Sequence, residues 1–268
     1  MCLFPSINNF STFSFLLKLV MPKDSARSHY YLRSLLSGVG SDVDHRSSVF
    51  GDREITTFFK LYRHSFKRQL VFPKQFKQAD GKLGANESVI SNVLDLGAGD
   101  KFLKDSFEKL GIEYTSLDLP ECNFENDTFP LPSNKYDCVI SLAVLEHLRD
   151  PSNFLLEIRR VLKSGGVLWL STPNWQHCSR TFYDDYTHVS PYTPNSLRAL
   201  LKDFGLEDTH VYPNLRCKPI FSYTGHAPFF RAKWFLPFKG SSRLPVPGFL
   251  KGRAVGIFSL SINPENLP

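Results

Sequence analysis

Four residues in the middle of the chain have the types and spacing of a working site: Asp95, Gly97 and Gly99 in NVLDLGAGD and Asp118 in SLDLP. They suit a nucleoside ligand. Glycines permit positive φ and lack the Cβ that would hold a ligand off the backbone. A carboxylate closing the next strand can accept both ribose hydroxyls. A dinucleotide site would read Gly-x-Gly-x-x-Gly, so that pyrophosphate sits on the helix N-terminus. Phe102 stands where that third glycine belongs, which disfavours an NAD- or FAD-binding oxidoreductase. Asp95 would repel phosphate and suits a cation such as an ammonium or a sulfonium.

Such residues need elements that bring them to one edge. From Val89 the chain alternates apolar runs and amphipathic segments: VLDL, a helix around Lys101 to Leu110, YTSLDL, YDCVISL, a helix signalled by DPSNFLLEIRRVLK, GGVLWLSTP, a helix in PNSLRALLKDFGL, then EDTHVYP and AVGIFSLSI. Strands alternating with helices pair in parallel through right-handed crossovers, which predicts an α/β, doubly wound, Rossmann-like sheet. Ligands of such sheets bind beyond the carboxyl ends of the strands, where the glycine loop falls. Asp137 reads as a structural residue at the start of its strand, and Gly165 and Gly166 as a turn before the next one. Upstream, RSHYYLRSLLSG and EITTFFKLYRHSFKRQLV carry apolar residues at helical spacing, giving an N-terminal extension and helical cap over 1–88 and the main domain over 89–268.

VLDLGAGD, SLDLP, FPLPSNKYDCVISLAVLEHLRDPSNFLLEIRRVLKSGGVLWLSTPN and THVSPYTPNSLRALLKDFGL together resemble a class I S-adenosylmethionine (SAM)-dependent methyltransferase of the type-11/type-23 groups. The resemblance implies a seven-stranded sheet with the last strand antiparallel, and SAM as cofactor across the first strand ends. By position it implies that Asp95, Gly97 and Gly99 surround the methionine moiety and that Asp118, with Leu119 beside it, binds the ribose. Asn123 and Phe124 would lie near the adenine, and Ser141 near the methionine end. Asn123 stands where many relatives carry Asp, and Lys101 where a third glycine is frequent. His147 and His188 match recurrent positions near the cleft. His188 is the candidate base for a hydroxyl acceptor, and His147 the alternative, with an orienting role also open to it. The Tyr183, Asp184, Asp185 and Tyr186 cluster could contact a polyol or be ordinary loop surface. Glu146 has no second acid beside it, so no metal is expected.

The expected function is methyl transfer to an oxygen, less readily a nitrogen or carbon, of a small molecule or a glycan or lipid-linked precursor. The alternative is a catalytically silent SAM-fold scaffold. The 268 residues, 42% apolar, can fill a sizeable core. Five cysteines form no Cys-x-x-Cys pair, so reduced thiols in a cytoplasmic setting are expected. FSTFSFLLKLVMPKD lacks a basic leading region and a cleavage site, so no secretory signal is assigned, and Met21 is a second candidate start. The net charge of +6 belongs to one segment: Thr209 to Pro264 holds eight Lys/Arg and no Asp or Glu, leaving 24 basic against 26 acidic residues elsewhere. Its ten aromatics suit a peripheral contact with an anionic membrane, or an insertion 209–264 that covers the acceptor cleft with its rings inward. No nucleic-acid motif accompanies the basic residues, so nucleic acid is an unexpected partner.

Overall fold

A computed structural model of the protein describes residues 43–78, 82–213, 238–239, 251–253 and 256–264. The chain divides into two compact units, Met1–His45 and Arg46–Pro268. Almost all of the first lies outside the described residues, as do the helix expected in 27–38 and most of the basic aromatic stretch 209–264.

The described elements run α1 (Val43–Phe66), β1 (Gln69–Val71), α2 (Pro73–Gln78), β2 (Glu87–Val89), β3 (Asn92–Leu96), α3 (Lys104–Lys109), β4 (Glu113–Leu117), β5 (Tyr136–Leu142), α4 (Ser152–Val161), β6 (Leu162–Pro173), α5 (Trp175–Cys178), α6 (Pro194–Asp203), β7 (Glu207–Pro213), β8 (Phe238–Lys239), β9 (Lys251–Arg253) and β10 (Gly256–Ile262). The main sheet has the order β4-β3-β5-β6-β10-β7. β4, β3, β5 and β6 pair in parallel, and β10, the last strand, runs antiparallel to both β6 and β7. Among the described residues the sheet therefore has six strands where seven were implied, with the reversed last strand in place.

Alternation along the strands builds two cores. Leu94, Leu96, Val139, Leu168 and Leu170 face Phe154, Leu155 and Ile158 of α4 and Leu197 and Leu201 of α6. Val93, Cys138, Ile140, Val167 and Trp169 face Ile55, Phe58, Leu61 and Tyr62 of α1 and Phe107 of α3. Helices thus cover both faces, which is why these strands read as nearly continuous apolar runs. Phe58 stacks on Trp169, ring centroids 4.6 Å apart and planes 7° from parallel, so the second half of α1 belongs to the sheet's packing.

Three local details depart from the expected pattern, each at a left-handed residue. The helical spacing upstream ends at Phe66, because Lys67 takes a φ of 55° and the chain then enters β1. The helix expected from Lys101 begins at Lys104, since Lys101 itself has a φ of 58° and closes a turn with its N–H on the Ala98 carbonyl. Gly165 and Gly166 lie inside β6, not before it. Gly165 has a φ of 73°, and the pairing jumps there from Tyr136–Leu162 to Cys138–Val167. Asp137 has the structural role expected of it. Its Oδ2 accepts from Ser91 and Asn92 N–H groups at 2.8 and 2.9 Å, and Lys163 Nζ lies 2.7 Å from Oδ1, tying the starts of β3, β5 and β6 together.

Candidate functional site

In the order β4-β3-β5 the chain leaves β3 for one side, then crosses to the other, and the crevice at that reversal is where a doubly wound sheet holds its ligand. The glycine loop opens there. Gly97 N–H donates to the Leu117 carbonyl at 2.9 Å, joining the ends of β3 and β4. Gly97 and Gly99 have φ of 71° and 51°, a region that costs an L-residue about 1–2 kcal/mol. Their surroundings differ. A Cβ on Gly97 would overlap Cγ2 of Val144, whereas one on Gly99 would meet nothing within 4 Å. Gly97 is therefore required by packing against the chain after β5, and Gly99 alone faces open space as a surface that a ligand could approach.

Asp118 follows β4, and its carboxylate is oriented by backbone: Gly99 N–H donates to Oδ2 at 2.9 Å and Leu119 N–H to Oδ1 at 2.7 Å. Asp95 is 3% exposed and accepts from Tyr114 Oη at 2.6 Å. Burial pushes its carboxyl up to about 7; the Tyr114 bond pulls down, and Asp118 and Asp100 push up. A carboxyl in that state gains from a nearby cation. Ser141 is fully buried at the end of β5, and its Oγ has no hydrogen-bond partner among the described residues. An orphaned hydroxyl, an open glycine face, an oriented carboxylate and a buried acid fit a nucleoside carrying a cationic group.

Three other residues of the sequence reading lie less directly here. Leu119 is exposed beside Asp118. Asn123 is exposed, and its Oδ1 accepts from Glu125 N–H at 3.1 Å, so one acceptor position of the amide is already used. Phe124 is buried, its ring packed on Phe129 and Phe154 at centroid distances of 5.5 and 5.2 Å, which puts the side chain in the core.

The second half of the site sits beyond β5 and β6. After β5, Ala143 takes a φ of 60°, and the short 3-10 turn Leu145–His147 follows. The loop after β6 docks on that turn: Val189 and Ser190 N–H groups donate to the Glu146 carbonyl at 2.9 and 3.1 Å. This brings the His147 and His188 rings to a centroid distance of 4.9 Å, tilted by 58°. His147 Nδ1 lies 3.2 Å from the Thr187 carbonyl and His188 Nδ1 2.8 Å from the Phe182 carbonyl. A carbonyl only accepts, so each neutral ring carries its proton on Nδ1 and a lone pair on Nε2. Burial, then the neighbouring His188, lower the pKa of His147, which keeps that ring neutral. His188 also packs on Phe182 at 4.7 Å, and Phe182 contacts Trp175 and Tyr183 at 5.4 and 5.0 Å, so aromatic rings run from the histidine pair to the exposed Tyr183. Asp185 is held by Thr187, whose Oγ1 donates to its Oδ1 at 2.6 Å.

Tyr114 escaped the sequence reading although its signal was present. Asp95 pairs with Ser116 across the parallel β3–β4 ladder, so Tyr114, two residues earlier, shares Asp95's face. The contact becomes visible once the register is known.

The type-23 methyltransferase family, described as "Methyltransferase domain", matches residues 58–211, more than half of the chain. A ubiquinone biosynthesis O-methyltransferase of Proteus mirabilis is 29% identical over 119 residues, covering 37% of this chain and 46% of that protein. A protein of Mycolicibacterium smegmatis named "Probable S-adenosylmethionine-dependent methyltransferase" is 41% identical over 91 residues, 34% of this chain and 35% of its own. The matched region thus spans less than half the length of these curated relatives. The crystal structure of a SAM-dependent methyltransferase from Archaeoglobus fulgidus superposes with a TM-score of 0.49 at 17% identity, covering 87% of this chain and 99% of that one. The family match agrees with the site's geometry, and the chain belongs to the class I SAM-dependent methyltransferases.

Proposed function

We propose that this protein transfers a methyl group to an oxygen of a small-molecule, glycan or lipid-linked acceptor. The observation that carries the reading is the His147–His188 pair, two imidazoles whose Nδ1 atoms sit on backbone carbonyls at the carboxyl edge of the sheet. An oxygen acceptor needs a proton removed as it attacks, and a neutral, oriented imidazole contributes roughly 10² to 10⁴ in rate to such a step. A nitrogen or carbon acceptor would make less use of the pair. Two similar proteins carry related names: the Proteus relative is named as an O-methyltransferase and the Mycolicibacterium one as SAM-dependent.

The residues divide the work. Asp118 accepts the ribose hydroxyls, Gly99 lets the cofactor lie on the main chain, and Asp95 supplies negative potential to the cationic end. Ser141 offers its hydroxyl to the amino-acid end. When bound, SAM supplies an electrophilic methyl group, whose bond to sulfur breaks with the electron pair remaining on sulfur. His188 receives the acceptor's proton, with His147 beside it, and the exposed Tyr183 ring, packed on the buried Phe182, offers an acceptor a face to lie against. Alignment of the reacting atoms provides much of the rate in such displacements.

Val144 links the two halves physically. Its side chain fills the place of the missing Gly97 Cβ, and Glu146 and His147 follow after Leu145, so the cofactor loop and the histidine turn share one packing contact. Turnover of radiolabelled SAM with a panel of sugars, phenols and lipid-linked precursors tests the proposal. Label entering an oxygen-linked product supports it. SAM binding without transfer to any acceptor would instead favour a silent scaffold.

A further inference from the structure

Glu146 is a buried acid with no part in the reading above. It is 1% exposed, and its Oε2 accepts from Thr172 Oγ1 at 3.1 Å. Among the described residues it forms no ion pair. One of its carboxylate oxygens and one ring nitrogen from each of His147 and His188 lie within 4.8 Å of one another. Burying a carboxylate against one hydroxyl and its own N–H is costly unless positive charge comes near.

We propose that Glu146 is a positioning residue for proton removal: its carboxylate stabilises the imidazolium formed when the histidine pair takes the acceptor's proton. The inference rests on the oxygen-acceptor reading. In this step the acceptor's O–H bond breaks, an N–H bond forms on the ring, and the oxygen keeps the electron pair with which it attacks the methyl carbon. The ring later returns the proton to water.

The geometry gives this carboxylate a purpose that the resting state lacks. Each ring already donates its Nδ1–H to a carbonyl, so an added proton goes to Nε2 and places a full positive charge beside the buried Glu146, on the partly buried His188 or the exposed His147. The neighbouring ring cannot offset that charge, and a second protonation would repel the first. Two acids face the pair. Asp185 lies on the histidine's own loop, and its carboxylate is held below the usual range: burial raises it, but hydrogen bonds from Thr187 and the charges of His188 and His147 outweigh that. Glu146 lies on the 145–147 turn, pushed up to about 7 by burial, lowered by its own N–H and Thr172, and raised by Asp185. The Tyr192 phenol also lies near Glu146 and stays neutral, raised by burial first. Burial favours the neutral form of Glu146, and a positive charge on either ring draws it to the ionised form. The cluster then meets the incoming proton with a carboxylate that solvent screens little.

The test is an NMR titration of both rings in histidine-labelled full-length protein, wild type against Glu146→Gln, with SAM and acceptor absent. The expected result is a fall of about one unit in the pKa of the ring that titrates, with part of it restored in Glu146→Asp. In turnover assays kcat should fall about 10- to 100-fold, the apparent pKa of the rate profile should move down in step, and KM for SAM should hold. If Glu146→Gln does not fold, Thr172→Val withdraws the hydrogen bond that favours the ionised carboxyl and should shift the ring downward by less. Histidines that titrate unchanged in a folded Glu146→Gln or Thr172→Val protein overturn the proposal. So does turnover that chelation abolishes and a divalent ion restores, since Glu146 would then be a metal ligand. The titration needs no acceptor, so an inactive wild type would count against methyl transfer without altering this result.

Discussion

His147 and His188 face each other with ring centroids 4.9 Å apart, although α4, β6 and α5 lie between them in the chain. The carbonyl of Glu146 holds the loop that carries His188 through two backbone hydrogen bonds. The pair is therefore set by main chain on both sides, by Thr187 and Phe182 at the rings and by Glu146 beneath the loop. Replacing His188 by Ala should lower kcat by roughly 10² to 10⁴ while SAM affinity stays nearly unchanged. Steady-state kinetics with calorimetry checks both halves, and a mutant that loses SAM binding instead would make His188 a structural residue of the loop.

Asp118→Ala should weaken SAM binding by about 1.5 to 3 kcal/mol, the scale of hydrogen bonds to a charged group. Gly99 and Leu119 lose their acceptor as well, so the loop loosens. Calorimetry measures the affinity, and an unchanged circular dichroism spectrum would separate this effect from unfolding.

The two glycines should respond differently to alanine. Gly97→Ala combines an unfavourable φ with a collision against Val144 and should cost about 2 to 4 kcal/mol of stability. Gly99→Ala carries the φ penalty alone, about 1 to 2 kcal/mol, and places a methyl where the cofactor is to lie. Urea denaturation should rank Gly97→Ala as the less stable variant, while Gly99→Ala should show the larger loss of SAM affinity relative to its loss of stability.

Asp95 should make both stability and binding depend on pH. Burial raises its folded pKa to about 7, above an unfolded value of about 3.9. The folded state then binds more protons than the unfolded state between these values, so this group's contribution to stability falls as pH rises from about 4 to about 7 and levels off above. Asp95→Asn should flatten that slope in denaturation curves collected across the window. Binding has the opposite sign: the ionised carboxylate attracts a sulfonium, so wild-type affinity for SAM should rise with pH through about 7. The neutral thioether product should show less of this rise, and Asp95→Asn should remove it.

Phe58→Ala should cost about 3 to 5 kcal/mol, the range for removing a fully buried ring. Phe58 is 1% exposed and stacks on Trp169 in β6, which leads directly to Thr172 and the histidine loop. A chemical denaturation midpoint that stays near wild type would remove α1 from the packing that supports the site.

What the amino-acid order determined by itself is whatever local chemistry dictates. Strand alternation, the glycine loop after VLDL and an acid closing SLDLP are read from neighbours within a few residues, because side-chain period and φ preference are local properties. Asp95, Gly99 and Asp118 could be named on that basis, and so could the α/β sheet; His147, His188 and the reversed last strand followed from the family resemblance. Which residue meets which was decided by tertiary structure alone. Gly97 serves Val144 rather than open space because β5 returns beside β3. Tyr114 holds Asp95 because the β3–β4 register sets them on one face. Phe124, placed near a nucleobase by position, went to the core because Phe129 and Phe154 offer it a packed apolar environment. Glu146 reads in sequence as a lone acid. It gains a purpose only when the loop after β6 folds back on its carbonyl and sets His188 against His147, since a buried charge takes its meaning from neighbours that the chain brings from far away.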